Sequence, residues 1–201
     1  MVSETGADGI RKTYQYDALN RLISQQEQNL TTGETRYTET DYSYGDVSVN
    51  EGKAEQKTWT KAFITTQTVK ESSADLEGNV TSVSYQNGLN QVVRQITYGV
   101  TTDYSYDANG NRITEYMVTD SELNEGRVVY HVYDKEGRET STVYNPVYNA
   151  EKTRFEVGEE TIYELVSYDE AGNVSQTVDG EGNVTRYTYD NAGRIIKVTL
   201  I

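Results

Sequence analysis

Two short stretches of this chain place acidic and amide side chains at the spacing with which a calcium-binding loop begins. They are Asp107-x-Asn109-x-Asn111 and Asp179-x-Glu181-x-Asn183. An EF-hand loop also needs Gly at its sixth position and Glu at its twelfth. Those two positions are filled instead by Arg112 and Val118, and by Val184 and Asp190. The spacing is better explained by tight turns, and we expect no metal ligands.

His131 is the only histidine of the chain. Triad catalysis would need a Ser and an Asp brought to it by the fold, and the sequence contains no Gly-x-Ser-x-Gly elbow. His131 lies three residues before Asp134, the offset at which Tyr14, Tyr104 and Tyr187 precede their own Asp. We therefore expect it to pack in an aromatic position of a strand.

Acidic residues number 32, which offers many carboxylate pairs for glycoside hydrolysis. The separation of the two carboxyl groups in space decides that chemistry, and the adjacent pair Glu159-Glu160 would point to opposite faces of a strand. The absence of Cys excludes thiolate catalysis and Cys-ligated metals. No residue is singled out as catalytic, cofactor-binding or metal-binding, so the sequence predicts a non-enzymatic protein without a cofactor.

Tyrosine is the residue type with a binding chemistry of its own, because the chain has 18 Tyr but only 2 Phe and 1 Trp. Tyr residues two apart share one face of a strand, so a strip of rings could bind sugars. The same rings could instead form the apolar layer of the sheet, since Tyr can bury its ring while its hydroxyl stays in contact with solvent. Both interpretations stay open, and the ligand-binding residues are unknown.

The net charge of −14 and the dispersed basic residues argue against binding to nucleic acid or to an anionic membrane. The acid excess suits the solubility of an exposed β surface. No stretch is apolar enough for a transmembrane helix, and Met1-Val2-Ser3-Glu4 does not begin a signal peptide. We expect any export leader to be absent from this segment.

A repeat predicts the elements that position these side chains. Six times an Asp is followed three residues later by Gly, where 12 Asp and 16 Gly in 201 residues would give about one such pair by chance. The six Asp residues are Asp75, Asp107, Asp134, Asp169, Asp179 and Asp190, and a seventh unit places Asn20 after Asp17. Asp first and Gly fourth favour a type I turn closed by a left-handed residue. Asn is the next best residue there, so each unit predicts a hairpin corner.

The turn type also predicts the register. A corner that opens at Asp190 places Asp190 opposite Arg194 and Tyr189 opposite Ile195. The same rule predicts the pairs Asp17–Arg21, Asp134–Arg138, Tyr16–Leu22, Tyr168–Val174 and Val178–Val184. Opposite charges and aromatic–aliphatic contacts stabilise such cross-strand pairs. The rule also pairs Tyr106 with Arg112 and Tyr133 with Glu139, which are not apolar pairs. Either the register of those hairpins is shifted, or those positions face solvent.

The spacing of 11 residues between Asp179 and Asp190 flips side-chain parity along the strand. Val184 therefore lies on the face opposite Tyr187 and Tyr189 unless a bulge intervenes near Arg186. Either both faces are partly covered or such a bulge is present.

We predict an all-β fold: an antiparallel meander of repeated β-hairpins that forms a twisted, curved open sheet. Residues 1–201 are expected to form a single domain, and the stretch 144–158 around Pro146 is a longer loop or a weak boundary. An open sheet leaves unpaired edge groups, which predicts edge-to-edge self-association.

The units Tyr-x-Tyr-Asp-x-x-Gly-Asn/Arg resemble the YD repeat of the RHS (rearrangement hotspot) family. The segments 104–112 and 187–195 are close matches. The resemblance implies a segment of a large secreted or cell-surface bacterial protein, a toxin subunit or a teneurin-like adhesion protein. Many such repeats there form a spiralling β-sheet shell around a cargo polypeptide, and they are also associated with carbohydrate binding.

The chain departs from those proteins because it is too short to close a shell and lacks their Asp-Pro-rich segment. The resemblance therefore carries over no autoproteolytic site and no toxin domain. It implies the rest of an RHS-type polypeptide as the partner, with glycans as an alternative.

Overall fold

The structure, a computed structural model, describes residues 2–52, 57–70, 79–120 and 125–201. All 17 regular elements in these ranges are strands, which confirms the all-β prediction. No helix in them is long and apolar enough to cross a membrane. The predicted corner at Asp75 and the residues 121–124 lie outside the described ranges.

The strands are β1 (Val2–Thr5), β2 (Ile10–Tyr16), β3 (Leu22–Asn29), β4 (Thr35–Asn50), β5 (Lys57–Lys70), β6 (Asn79–Gln86), β7 (Val92–Thr97), β8 (Val100–Tyr106), β9 (Arg112–Asp120), β10 (Glu125–Tyr133), β11 (Glu139–Tyr144), β12 (Val147–Asn149), β13 (Arg154–Glu156), β14 (Ile162–Tyr168), β15 (Val174–Val178), β16 (Val184–Tyr189) and β17 (Ile195–Leu200). Fifteen of them form one open antiparallel sheet in chain order, with β1 and β17 as its edge strands. The predicted meander of hairpins is therefore confirmed. β12 and β13 form a separate two-stranded sheet inside the long connection around Pro146.

Proximity of Cα atoms divides the chain into two compact units, of which the first comprises residues 1–49 and 59–102. Its core is small and aliphatic. Val47 and Val49 of β4 pack with Ala62 of β5 and Val93 of β7, and each of the four is at most 6% exposed. The Arg94 guanidinium donates to the Ser48 carbonyl at 2.8 Å.

The second unit comprises residues 50–58 and 103–201 and has a partly polar interior. Tyr116 and Val128 are buried, and Asp103 has no exposed surface. The Asp103 carboxylate accepts the backbone N–H of Asn50 at 2.7 Å. Gly52 lies so close to Val128 that an added Cβ would stand 2.3 Å from its Cγ2.

The predicted corners have the predicted construction. At Asp134, the amide of Gly137 donates to the Asp134 carbonyl at 3.0 Å, and the Asp134 amide donates to the Arg138 carbonyl at 2.9 Å. The same two bonds close the corners that open at Asp17, Asp107, Asp169, Asp179 and Asp190, and a further corner at Asn87. The fourth residue is left-handed in every case, with φ from 73° to 90° at the Gly residues and φ of 61° at Asn20.

The predicted register is confirmed for Tyr16–Leu22, Tyr168–Val174, Val178–Val184 and Tyr189–Ile195. Tyr133 also pairs with Glu139, so that hairpin is not shifted. In these hairpins the register shifts by one residue between the Tyr pair and the next pair of the ladder. Thr188 pairs with Lys197 and Tyr189 with Ile195, so Ile196 has no partner of its own.

A bulge near Arg186, one of the two alternatives for this strand, is not present. Pairing between β15 and β16 is regular from Val184 to Arg186, and the slip comes later, between Thr188 and Tyr189. Val184 and Tyr187 therefore lie on opposite faces, and both are half-buried. The other alternative, that both faces of the sheet are partly covered at this strand, is therefore correct.

Gly172 tests the requirement for a left-handed residue at a corner. Its φ is +85°, and its Cβ position would meet Arg138 Nη1 only at 3.5 Å, so backbone strain rather than crowding decides the outcome. We expect Gly172→Ala to lower the free energy of unfolding by about 1 kcal/mol. Gly172→Asn should cost less, because Asn20 holds the same position. Urea unfolding measures both, and equal losses for Ala and Asn would contradict this explanation.

Candidate functional site

The repeated Asp side chains hold the corners together. In the Asp134 corner, Oδ1 accepts the backbone N–H of Glu136 at 3.0 Å and of Arg138 at 2.9 Å. Oδ2 accepts Arg138 Nε at 2.8 Å. The corners at Asp17, Asp107, Asp169, Asp179 and Asp190 repeat this arrangement, with either Arg or Asn as the side-chain donor.

These hydrogen bonds keep the corner carboxylates ionised. The side-chain amide of Asn111 is the largest cause that lowers the pKa of Asp107, and Asn183 acts likewise on Asp179. The two calcium-like stretches are therefore corners whose carboxylates already accept N–H donors. Among the described residues, no group of three or more His, Asp or Glu side chains could hold a metal ion.

Tyr hydroxyls join successive hairpins. Several hydroxyls donate to a backbone carbonyl at 2.8–2.9 Å, among them those of Tyr42 to Leu22, Tyr133 to Arg112, Tyr168 to Glu139 and Tyr189 to Val174. Each accepting residue lies five positions after the Asp that opens an earlier corner. We call each hydroxyl–carbonyl contact a Tyr joint.

The Tyr joints lie where the backbone ladder between hairpins stops. β11 pairs with β14 only from Ser141–Leu165 onward, so the Glu139 carbonyl lies two residues beyond the first pair. The Tyr168 hydroxyl supplies its hydrogen bond. The ladders of the other three joints stop at Ser24–Glu39, Thr114–Tyr130 and Gln176–Arg186, again two residues short. Phe cannot donate this bond, which accounts for the preference for Tyr at these positions.

Arg residues connect two of the joints to their corners. The guanidinium carbon of Arg138 lies 4.5 Å from the centre of the Tyr168 ring, while its nitrogens pair with Asp134. Arg21 stands over Tyr42 in the same way, at 4.3 Å, and pairs with Asp17. Cation–π contact and ion pairing thus couple each corner to the next hairpin.

His131 lies between two carboxylates rather than among apolar side chains. Its Nδ1 is 2.8 Å from Glu139 Oε1, and its Nε2 is 3.6 Å from Glu115 Oε1, beyond hydrogen-bond distance. Glu115 also pairs with Arg112 at 2.7 Å. The Glu115 carboxylate is the largest cause of the raised pKa of His131; burial opposes it, and Glu139 adds to it.

This cluster predicts a pH-dependent stability. The pKa of His131 is raised in the folded protein. The contribution of His131 to the free energy of unfolding is therefore fully present below its pKa in the unfolded chain, about 6.5, and is lost as pH rises through its pKa in the folded protein. The pKa values of Glu115 and Glu139 are lowered, so their contributions are lost only as pH falls through their folded values. We expect the stability difference between wild type and His131→Gln to be larger near pH 6 than near pH 9. Urea titrations at both pH values measure it, and a constant difference would contradict the prediction.

The remaining candidate side chains lie apart from the corners. Glu159 and Glu160 are exposed in a turn after β13, not in a strand. Exposed aromatic rings cluster on β4 and β5, where Tyr44 is 82% exposed and its ring centre is 5.1 Å from that of Phe63. These two rings line a groove of about 470 Å³ together with Asp46, Lys61, Gln86 and Asn87.

Sequence reasoning identified the corner residues but missed what the Tyr hydroxyls do. Tyr42 makes a joint although no Asp follows it. A usable signal was the choice of Tyr over Phe, because the hydroxyl of a buried Tyr usually has a hydrogen-bond partner.

Comparison with known proteins gives one family match and one distant relative. Residues 168–200 match the family described as RHS Repeat. The chain is 32% identical over 121 residues to a tRNA3(Ser)-specific nuclease WapA of Bacillus spizizenii, a match that covers 51% of this chain and 5% of the nuclease. The chain thus spans about a twentieth of the curated relative that it matches.

Solved structures of the TcdB2-TccC3 complex are also similar. The TcdB2-TccC3-TEV structure has a TM-score of 0.32 at 11% identity, and TcdB2-TccC3-Cdc42 has 0.30 at 11%. Each match covers 96% of this chain and 14% of the larger one.

Proposed function

We propose that this chain, whose residues 168–200 match the family described as RHS Repeat, is a segment of an RHS (YD-repeat) protein and has an architectural role in a larger secreted or cell-surface polypeptide. In this role its hairpins build part of a β-sheet wall, as a section of a shell or stalk, and the segment itself is not an enzyme. The partner is the rest of that polypeptide.

The four Tyr joints are the observation that carries this proposal. The Asp and Arg residues of the repeat hold each corner closed, and the Tyr hydroxyls fix one hairpin to the next. Such bonds depend only on neighbouring hairpins, which is how repeat proteins extend one unit at a time. A catalytic site would instead need one corner to differ from the others.

The nuclease activity named for the Bacillus relative belongs to a protein about twenty times longer than the match. We place activities of that kind in other parts of such polypeptides. The role that we propose for this segment is to form a stable section of the β-sheet wall.

Limited proteolysis of the complete polypeptide tests the architectural role. A variant in which the four joint residues are replaced with Phe should be more sensitive to protease within this segment. The substitutions are Tyr42→Phe, Tyr133→Phe, Tyr168→Phe and Tyr189→Phe. The matched control replaces Tyr44 and Tyr163, which are exposed and make no Tyr joint, with Phe. Unchanged protease resistance in the joint variant, with an activity lost instead, would overturn the proposal.

The groove beside Tyr44 and Phe63 favours carbohydrate binding as a second candidate. Exposed rings stack on sugar faces, and Asp46, Lys61 and Gln86 supply polar groups at the same groove. A glycan array should then give a signal that Tyr44→Ala removes and Tyr163→Ala keeps. A wild-type chain without any signal would end this candidate.

A further inference from the structure

Three aromatic rings form a row across β4 and β5, and the two ends of this row differ. The Tyr42 and Phe63 rings are stacked with their centres 5.7 Å apart, and the Tyr44 ring follows at 5.1 Å from Phe63. The Arg21 guanidinium covers the Tyr42 end, 4.3 Å from the ring centre. At the other end Tyr44 is 82% exposed, and no cation of the residues that the structure describes lies over its ring.

This protein covers Tyr rings with arginine in a recurrent way. Arg21, Arg112 and Arg138 each lie over a Tyr ring, 4.3–4.7 Å from its centre, and each also pairs with a carboxylate at 2.7 Å. A guanidinium makes both contacts at once because it is flat and carries its N–H groups at its edge, whereas a lysine ammonium is a compact, strongly hydrated charge. A Tyr ring beside a carboxylate is therefore a surface that suits an arginine side chain.

Tyr44 has such a carboxylate beside it. Asp46 lies two residues further along β4, so the two side chains share one face of the strand, and both line the groove of about 470 Å³. Asp46 pairs with Lys61 at 3.0 Å, but the two side chains are 61% and 90% exposed. Because ion pairs this exposed contribute little, an incoming cation can replace Lys61.

The groove also has room for a second chain. Gly88 forms part of its wall, and a Cβ added there would meet no atom within 4 Å beyond the chain neighbours. The net charge of −14 attracts basic partners over a long range. Shape and charge at this groove therefore both favour a positively charged ligand.

We propose that the exposed face of Tyr44 and the Asp46 carboxylate bind an arginine side chain of another polypeptide. The guanidinium stacks on the Tyr44 ring, as Arg21 stacks on Tyr42, and donates N–H groups to Asp46 in place of Lys61. A neutral sugar would use the same ring without gaining from the charge of Asp46, so the two ligands would compete for one groove. This binding goes beyond the architectural role, because Tyr44 makes no Tyr joint.

An NMR titration of the chain with an end-blocked Gly-Arg-Gly peptide tests the proposal. The peptide should shift the Tyr44 ring protons saturably, and binding should weaken in about 0.5 M NaCl because salt screens an exposed ion pair. A citrulline peptide keeps the shape of arginine without its charge, and a lysine peptide keeps the charge without the flat group. Each should bind about two- to fivefold more weakly, the factor that corresponds to a cation–π contact at an exposed site.

Variants of the charged groups at the groove separate a cation from a sugar. Lys61→Gln should tighten binding of the arginine peptide because it removes the competing cation, whereas Asp46→Asn should weaken it. Gly88→Lys should weaken it through repulsion, and Gly88→Glu should not. Both residues fit this place in a corner, since Lys135 and Glu170 follow the first residue of their own corners in the same way.

The ring itself is tested by Tyr44→Leu, which should weaken binding of the arginine peptide about two- to fivefold. Tyr163→Leu is the matched control, because Tyr163 is also exposed but lies outside the groove. Equal affinities for the arginine and citrulline peptides, or no shift of the Tyr44 ring up to the solubility limit of the peptide, would overturn the proposal. Binding of a neutral glycan that neither salt nor Lys61→Gln changes, without binding of the peptide, would assign the groove to the sugar instead.

Discussion

Replacing Asp134 with Ala lowers the midpoint of thermal unfolding by about 5 °C, whereas Asp134→Asn lowers it by about 2 °C. Ala leaves the N–H groups of Glu136 and Arg138 without their acceptor and frees Arg138 from its ion pair. Asn keeps an oxygen for both N–H groups. Asn87 already does this in its own corner, where Oδ1 accepts two backbone N–H groups at 3.0 Å.

Calorimetry of the wild type and the two Asp134 variants measures these shifts. Asp8→Ala is a useful control, because that carboxylate accepts one N–H, from Ile10, in an exposed turn outside the repeat. Equal shifts for the Ala and Asn variants would mean that the ion pair with Arg138, rather than the turn hydrogen bonds, holds the corner.

Asp103→Ala is expected to lower the free energy of unfolding by about 3 kcal/mol, the largest effect of any single substitution considered. The side chain has no exposed surface, and its carboxylate accepts the Asn50 N–H at 2.7 Å. Truncation would leave that buried donor without a partner. Asp103→Asn should recover part of the loss because it retains an acceptor oxygen.

Chemical denaturation measures both Asp103 variants. Asp46→Ala is the exposed control, because its side chain is 61% exposed and pairs with Lys61 at the surface. Its effect should stay within about 0.5 kcal/mol. An Asp103→Ala variant as stable as the wild type would contradict a structural role for this carboxylate.

The corners could be predicted because their chemistry is local. An Asp and a Gly three residues apart contain both the hydrogen-bond acceptor and the left-handed residue that the turn needs, and the turn then sets the pairing of Tyr189 with Ile195. The strand order followed for the same reason, since short corners connect neighbours. The corner at Asn87 shows that an amide serves as well as a carboxylate.

The Tyr joints and the buried Asp103 could not be predicted because they depend on residues far apart in sequence. The Tyr168 hydroxyl meets a carbonyl 29 residues away, at the place where the ladder between two hairpins ends. Asp103 and Asn50 are 53 residues apart. The position of His131 was predicted by its offset from Asp134, but its carboxylate neighbours come from the adjacent strands β9 and β11.

Six single Tyr→Phe substitutions in the isolated chain test the central claim most directly. Each removes one oxygen atom and leaves the ring in place. Urea unfolding should show a loss of about 1 kcal/mol at each joint residue, Tyr42, Tyr133, Tyr168 and Tyr189, and no loss at Tyr44 and Tyr163. Losses of the same size in both sets, or in neither, would contradict the account that these hydroxyls join one hairpin to the next.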